Sequence, residues 1–245
     1  METRNRRIHI LLAIVVVLAA SGIIMNLDTT IMVGRDGHYA QIHMPLYAKW
    51  TQFMARHYEY ERLARQITAG SNTDEEKVLA ILKWTRENLK DVPPGMPIYD
   101  DHILYTIIRG YALPEQFQDV FTNLCAYSRI PAFYGKPYDK SRTAKYAVSF
   151  VELNGKWRVF DAYRGIYFRN KSGEIAGIDD IEKDPSIVSG KNVESLTVYD
   201  IPYRDFFYNL SGIAKPVIAR PQRQMPLSRM IYEARRALGC GKEDD

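Results

Sequence analysis

The sequence predicts an α+β domain that follows one transmembrane helix. Three observations lead to this fold class: a long apolar run near the N-terminus, three segments in which apolar residues recur at three- and four-residue steps, and two alternating segments around Asn154-Gly155. With 245 residues, the chain can hold one sizeable domain with an extension, or two small domains.

Residues 8–25 form the apolar run, and Arg4, Arg6 and Arg7 precede it. At a rise of ~1.5 Å per residue the run spans about 27 Å, which matches the hydrocarbon core of a bilayer. The basic residues on its N-terminal side place the N-terminus in the cytoplasm and the remaining chain outside, in the periplasm or the extracellular space. A cleaved signal peptide is the alternative. We favour a retained anchor because the run continues to Met25, beyond the small residues at 19–21.

The helical segments have recognisable ends. Residues 27–43 are expected to form a loop or short strand, and the first periodic segment then covers 45–68. Thr73 and Glu76 form a capping box that begins a helix over 74–90. A short helix is expected at 103–108, and a third long helix begins at Pro114 and extends to about Ser128, because proline suits the first helical position.

Asn154-Gly155 predicts a two-residue type I′ turn between strands 146–153 and 156–163. With that turn, residue 153 pairs with 156 and residue 150 with 159. Tyr146 and Asp161 then become diagonal neighbours with Cβ atoms roughly 7 Å apart.

Composition excludes several classes of function. Hydrophobic residues make up 46% of the chain and the net charge is +4, without a dense Lys/Arg stripe among aromatic residues, so nucleic acid is not an expected partner. The five histidines are scattered and Cys125 and Cys240 form no CxxC pair, so neither a metal nor another cofactor is expected. A disulfide between these cysteines would need an oxidising compartment and is not the favoured interpretation. Residues 100–102 (Asp-Asp-His) are interpreted as a polar connector.

The C-terminal region contains a basic amphipathic helix. Leu227, Ile231 and Ala234 lie on one side of it, and Arg229 and Arg235 are among its basic residues. The favoured interpretation is a helix packed on the domain with its basic face in solvent. The alternative is a helix that lies on an anionic membrane surface.

Four segments, taken in order, resemble the transglutaminase-like superfamily of papain-like fold. They are the helix 74–90 with Trp84, the block Arg109-Gly110-Tyr111-Ala112-Leu113-Pro114-Glu115-Gln116-Phe117, the segment Leu124-Cys125 to Ile130-Pro131-Ala132, and the strand pair from Tyr146 to Asp161. The resemblance implies a core helix packed on a small antiparallel sheet. Together with the apolar run, it predicts four parts of the chain: a cytoplasmic tip with anchor at 1–26, a linker and helix at 27–72, a core at 73–165 and an extension packing on the core at 166–245.

Active members of that superfamily use a Cys–His–Asp triad, and the resemblance places these roles at Pro114, Tyr146 and Asp161. Proline has no nucleophile, and tyrosine is a poor base at neutral pH. All five histidines precede Pro114 in the sequence, so none can occupy the strand position of the base. The resemblance therefore implies a degenerate member that lacks the catalytic Cys and His. Arg109 is expected to pair with a carboxylate or carbonyl near the helix start.

The expected function is that of an exported, membrane-anchored module that is catalytically inactive. Its former substrate groove, at Pro114, Glu115, Tyr146, Trp157 and Asp161, would bind a peptide, a cell-surface polymer or a protein of a membrane complex. Within that groove, a Tyr146–Asp161 hydrogen bond could be structural or could form the polar floor of a ligand site.

Two alternatives remain open. The chain could be a cysteine-type hydrolase or acyltransferase that uses Cys125, although this thiol is expected to be buried among apolar residues. It could also be a purely structural assembly platform, in which case the helix 45–68 or the C-terminal segment should fill the groove.

Overall fold

The computed structural model describes residues 2–35, 38–98, 100, 102–189 and 193–237. The chain divides into two compact units, one comprising Met1–Arg56 with Ile98–Asp100 and the other His57–Pro97 with Asp101–Asp245. Asp101, Leu238 and Cys240 lie outside the described residues, so the Cys125–Cys240 pairing stays untested. The prediction of an α+β chain with one apolar N-terminal helix is confirmed.

The first unit contains α1 (Glu2–Met25) and a hairpin of β1 (Asp28–Arg35) and β2 (His38–Pro45). Within α1, Asn5–Met25 is long and apolar enough to cross a membrane. The hairpin replaces the loop or short strand expected at 27–43, because every residue from Asp28 to Arg35 pairs with one on β2. The Leu46 N–H donates to the Leu27 carbonyl at 2.9 Å and closes the base of the hairpin.

The helices agree closely with the sequence periodicity. They are α2 (Leu46–Thr68), which begins in the first unit and ends in the second, α3 (Asp74–Asn88), α4 (Ile103–Arg109) and α5 (Pro114–Tyr127). The capping box is present, since the Glu76 N–H donates to Thr73 Oγ1 and the Thr73 N–H donates to Glu76 Oε2. These bonds satisfy two N–H groups that the first turn of a helix leaves without partners.

Four antiparallel strands form the main sheet in the order β5-β6-β7-β8. Their bounds are β5 (Ala132–Gly135), β6 (Val148–Leu153), β7 (Lys156–Asp161) and β8 (Ile166–Tyr167). Two shorter pairs join β3 (Lys90–Asp91) with β4 (Tyr111–Ala112), and β9 (Thr197–Val198) with β10 (Ile201–Pro202).

The hairpin of β6 and β7 has the predicted register, with Leu153 opposite Lys156 and Phe150 opposite Val159. Asn154 and Gly155 both have positive φ, 52° and 73°, as a type I′ turn requires. The strands are two residues shorter at the open end than predicted. The Tyr146 N–H donates to the Pro137 carbonyl at 3.1 Å instead of joining the β6–β7 ladder, and the chain turns directly after Asp161.

The sheet lies between α5 and the C-terminal region. On one side Phe121 of α5 packs against Phe160 with ring centroids 5.5 Å apart, and each residue of α5 from Gln116 to Tyr127 is buried. On the other side Phe150 and Val159 belong to a second apolar cluster that includes Phe206 and Phe207. The implied core helix packed on a small antiparallel sheet is therefore present.

The C-terminal region consists of short elements. They are α6 (Ile178–Lys183), 3₁₀ helices at Pro185–Val188, Tyr203–Phe207 and Gln222–Gln224, and α7 (Pro226–Ala237). The helix at Tyr203–Phe207 supplies large aromatic side chains that are almost completely buried. It therefore completes the core on the sheet face opposite α5.

Candidate functional site

Pro114 is the first residue of α5. Side chains around it fix the start of the helix: Gln116 Oε1 accepts hydrogen bonds from the Leu113 N–H at 3.0 Å and from Arg109 Nη2 at 2.7 Å. Arg109 Nε also donates to the Tyr111 carbonyl at 2.7 Å. The expectation that Arg109 pairs with a carbonyl near the helix start is confirmed. These hydrogen bonds hold the chain around Pro114 at the N-terminus of α5.

Asp161 ends β7 with its side chain fully buried. Its carboxylate accepts four hydrogen bonds. Oδ1 accepts from Gln118 Nε2 at 3.2 Å and from the Arg164 N–H at 3.1 Å. Oδ2 accepts from the Tyr146 hydroxyl at 2.6 Å and from the Tyr203 hydroxyl at 2.8 Å. We call Asp161 and these partners the Asp161 network, and it contains the Tyr146–Asp161 hydrogen bond considered from the sequence.

Gln118 connects the Asp161 network to the sheet. Its Oε1 accepts from the Ser149 hydroxyl at 2.7 Å and from the Ala162 N–H at 3.1 Å, while its Nε2 donates to Asp161. The Gln118 side chain on α5 thus forms hydrogen bonds with β6, with the last residue of β7 and with Ala162, which follows β7. Because all these groups are buried, each would carry a desolvation cost without its partner.

Arg164 brings a positive charge to the network. Its Nη1 donates to the Tyr146 oxygen and lies 3.6 Å from Asp161 Oδ2. Its guanidinium carbon is 5.0 Å from the centre of the Tyr146 ring and 5.2 Å from that of the Tyr203 ring. Arg164 therefore balances the buried carboxylate and stacks on the two phenols that donate to it.

The two phenols are held in their protonated form. Burial raises the pKa of Tyr146, and the neighbouring Asp161 carboxylate raises it further, while Arg164 has the opposite effect. Burial and Asp161 likewise raise the pKa of Tyr203 well above its ordinary value. At neutral pH both hydroxyls are hydrogen-bond donors to Asp161, which is the opposite of the proton-accepting role of a catalytic base.

The C-terminal region covers the network. Tyr203 and Phe206 are almost completely buried, and both rings contact Tyr146, with centroids 5.8 Å and 5.6 Å away. Arg164 Nη2 donates to the Thr197 carbonyl at 3.3 Å and links the network to the same region. Residues of the C-terminal region therefore occupy the space beside Tyr146.

Glu115 and Trp157, the other two proposed groove residues, lie in different surroundings. Glu115 forms an ion pair with Lys136. Trp157 packs edge-on against Phe133 with ring centroids 5.0 Å apart, and Lys215 Nζ lies 4.5 Å from its ring centre. Trp157 is four residues before Asp161 on β7, which corresponds to roughly 13 Å along a strand. Of the five groove residues, the structure brings Tyr146 and Asp161 into direct contact.

Cys125 is completely buried on α5, among Phe117, Phe121 and Leu124 of the main core. Burial raises the pKa of its thiol, which disfavours the nucleophilic thiolate. Within the described ranges, no group of three or more His, Cys, Asp or Glu side chains could hold a metal ion. Cys125 thus has the surroundings of a structural thiol.

Sequence reasoning missed three members of the network: Gln118, Arg164 and Tyr203. Gln118 could have been found, because it lies four residues after Pro114 and shares its helix face. Arg164 directly follows the predicted hairpin. Tyr203 comes from a region 42 residues away from Asp161 in sequence, and no local pattern connects the two.

Comparison with known proteins gives matches among solved structures. No family model matches the sequence, and no curated protein matches it at a significant level. The structure is similar to a proposed cysteine protease from Cytophaga hutchinsonii, with a TM-score of 0.39 and 22% identity, covering 54% of this chain and 45% of that chain. A proposed protease from Parabacteroides distasonis matches at a TM-score of 0.36 with 16% identity, covering 54% of this chain and 35% of that one. A structure described as a TGase matches at a TM-score of 0.37 with 14% identity, covering 54% and 43%. The alignments span less than half the length of each of these proteins.

Proposed function

We propose that this chain is an exported, membrane-anchored interaction domain with a degenerate transglutaminase-like site that performs no catalysis. The Asp161 network carries the proposal. A carboxylate that accepts four hydrogen bonds has no place for the imidazole that it would orient in a working triad. In this role the former catalytic carboxylate joins α5, the sheet and the C-terminal region.

The nature of the partner follows from the same contacts. A peptide or polymer bound in the former groove would have to displace Tyr203 and Phe206, which are buried against Tyr146. A protein of a membrane-associated assembly needs only the outer surface of the domain. We therefore favour a protein partner over a peptide or a cell-surface polymer. The covering of Tyr146 by the C-terminal region also supports the structural-platform alternative, which likewise has no ligand in the groove.

Activity assays test the absence of catalysis. The full-length protein in detergent micelles is incubated with a labelled primary amine and a glutamine-rich acceptor protein, and separately with fluorogenic peptides. We expect no product above the background of heat-denatured protein. Turnover that disappears in a Cys125→Ala variant would overturn the proposal and establish the cysteine-enzyme alternative.

Thiol labelling is a second test that does not require the correct substrate. In a Cys240→Ser background, Cys125 is the single thiol in the chain. We expect iodoacetamide to modify it in urea and to leave it unmodified in the folded protein, because its thiol is buried and its pKa is raised. Rapid modification of the folded protein at neutral pH would contradict a structural thiol.

Reporter fusions test the export of the domain. Alkaline phosphatase fused after residue 237 is active only where disulfides form, outside the cytoplasm. We expect activity from this fusion and none from a matched fusion that also lacks residues 5–25. An inactive fusion of the whole chain would place the domain in the cytoplasm and would reject this part of the proposal.

A further inference from the structure

The apolar side of α7 points into solvent. Leu227, Met230, Ile231 and Ala234 follow one another at helical spacing, and we call them the α7 stripe. The exposed fractions of the first three are 71%, 61% and 44%, and Ala234 is exposed as well. The favoured expectation from the sequence was a helix packed on the domain with its basic face in solvent. The structure contradicts it, because the apolar face is the one left uncovered.

Polar contacts hold α7 in this orientation. Arg223 lies over the Tyr232 ring, with its guanidinium carbon 5.1 Å from the ring centre, and its Nη1 is 3.4 Å from the Tyr232 hydroxyl. Tyr232 thus contacts the preceding 3₁₀ helix, and the α7 stripe lies on the opposite side of α7.

The helix that carries the stripe has a net positive charge. Residues 226–237 contain three basic residues (Arg229, Arg235, Arg236) and one acidic residue, Glu233. Arg235 is exposed and follows Ile231 by four residues, so it lies at the edge of the stripe. An exposed apolar stripe bordered by arginine is the pattern of a helix that lies in the interface of an anionic membrane.

We infer that α7 docks by this stripe on the surface of the anionic membrane in which α1 is inserted. Leu227, Met230 and Ile231 would enter the boundary between headgroups and acyl chains, and Arg235 would contact lipid phosphates. A short helix binds lipid weakly by itself. Here α1 tethers it to the same membrane, which raises its effective concentration at the surface. The inference rests on the membrane anchoring of the proposed function and is independent of the absence of catalysis.

Hydrogen exchange of the full-length chain in nanodiscs tests the docking. One sample contains phosphatidylglycerol discs with one copy of the protein per disc, and the other contains phosphatidylcholine discs. We expect exchange of the amides in 226–237 to be about tenfold slower in phosphatidylglycerol, because lipid contact suppresses local opening of the helix. Equal exchange in the two lipids would overturn the inference.

Two variants locate the contact. Leu227→Ser combined with Ile231→Ser should return exchange in phosphatidylglycerol to the phosphatidylcholine rate. The matched control Val217→Ser removes another exposed apolar side chain, 75% exposed and outside the stripe, and should leave the protection intact. Protection that survives the double substitution, or is lost in the control, would reject the stripe as the contact.

Varying the number of protein copies per disc shows whether lipid or a second protein copy covers the stripe. If a second copy covers α7, slow exchange will appear in discs with two copies and be absent from discs with one, and the membrane assignment is then wrong. Slow exchange in single-copy discs supports lipid. The protein's insertion is checked separately by flotation, so failure of the anchor is distinguishable from failure of the docking.

Discussion

The Asp161 network and the α7 stripe are opposites in the same unit of this protein. In the network, buried polar side chains from α5, the sheet and the C-terminal region pair with one another. In the stripe, large apolar side chains remain in solvent although they are regularly spaced for packing. The first is a buried polar cluster in which residues of this chain satisfy one another. The second is a surface that the described part of the chain leaves uncovered.

The contrast indicates where this protein can interact with other molecules. Buried polar groups that are satisfied internally contribute to stability and specificity of the fold and are poor ligand sites. Exposed apolar surface tends to mark contact with a membrane or another protein. Substitutions in the network should therefore change stability strongly, whereas substitutions in the stripe should change binding and leave stability almost unaffected.

The largest effect is expected for Asp161→Ala. It removes the acceptor of four hydrogen bonds and leaves Arg164 beside two phenols without its carboxylate, so we expect a loss of about 3–5 kcal/mol in the free energy of unfolding. Urea unfolding followed by Cys125 labelling, in a Cys240→Ser background, measures it. The matched control is Asp200→Asn at an exposed position with φ of 65°, a conformation that asparagine tolerates. A loss below about 1 kcal/mol would mean that the network is not a stabilising element.

Gln118→Leu should have the next largest effect, a loss of about 2–3 kcal/mol. Leucine has a similar size but leaves the Ser149 hydroxyl and the Ala162 N–H without their acceptor and removes one of the two donors to Asp161 Oδ1. The same urea unfolding measures it, with Gln52→Leu at an exposed position of α2 as the control. Equal stability of the two variants would show that water replaces Gln118 without cost.

Tyr146→Phe removes a single hydroxyl and should cost about 1–2 kcal/mol. The ring remains to pack against Tyr203 and Phe206, and the Tyr203 hydroxyl still donates to Asp161. Tyr199→Phe, at a residue that is 74% exposed, is the control and should be neutral. If Tyr146→Phe leaves the free energy of unfolding unchanged, this side chain contributes by packing and not by its hydrogen bond.

The same hydroxyls predict how stability depends on alkaline pH. The pKa values of Tyr146 and Tyr203 are raised in the folded state, so their contribution is fully present below the unfolded-state pKa of about 10 and is lost as the pH rises above it. Unfolding titrations from pH 9 to about 11 should therefore show falling stability, by up to about 1.4 kcal/mol per pH unit for each tyrosine. Replacing both residues by Phe should flatten the slope, and an unchanged slope would assign it to other groups.

The smallest effect is expected for Leu227→Ser with Ile231→Ser. Both side chains are exposed in the folded protein, so the free energy of unfolding in micelles should change by no more than about 0.5 kcal/mol. A loss above about 2 kcal/mol would mean that the stripe packs on protein in solution. That result would remove the contrast between the two regions.

The sequence predicted most of the helices and the β6–β7 hairpin, because their signals are local. The capping box at Thr73, the turn at Asn154-Gly155 and the proline at the start of α5 each depend on residues within one turn of one another. The hairpin of β1 and β2 was missed. One of its strands contains Gly34, and the sequence of both strands resembles that of a loop. Pairing between β1 and β2 stabilises the strands where local propensity does not.

The candidate site was predictable only in part. The register of the hairpin correctly brought Tyr146 close to Asp161, since pairing distances follow from a two-residue turn. The contacts of Tyr203 with Asp161 and of Phe206 with Tyr146 were not predictable. Tyr203 and Phe206 are more than 40 positions from Asp161 in sequence and belong to a short 3₁₀ helix. The orientation of α7 was predicted wrongly, since its periodicity is the same whichever way the stripe faces.

The sequence by itself determined which residue types stand at positions 114, 146 and 161, where the apolar N-terminal helix runs and where most elements begin and end. These properties depend on residue chemistry and on contacts between near neighbours in the chain. Only the tertiary structure decided that Asp161 is enclosed and that the α7 stripe is open. Both outcomes depend on which distant segments pack together, and the free energy of such packing comes from shape and burial that no short stretch of sequence specifies.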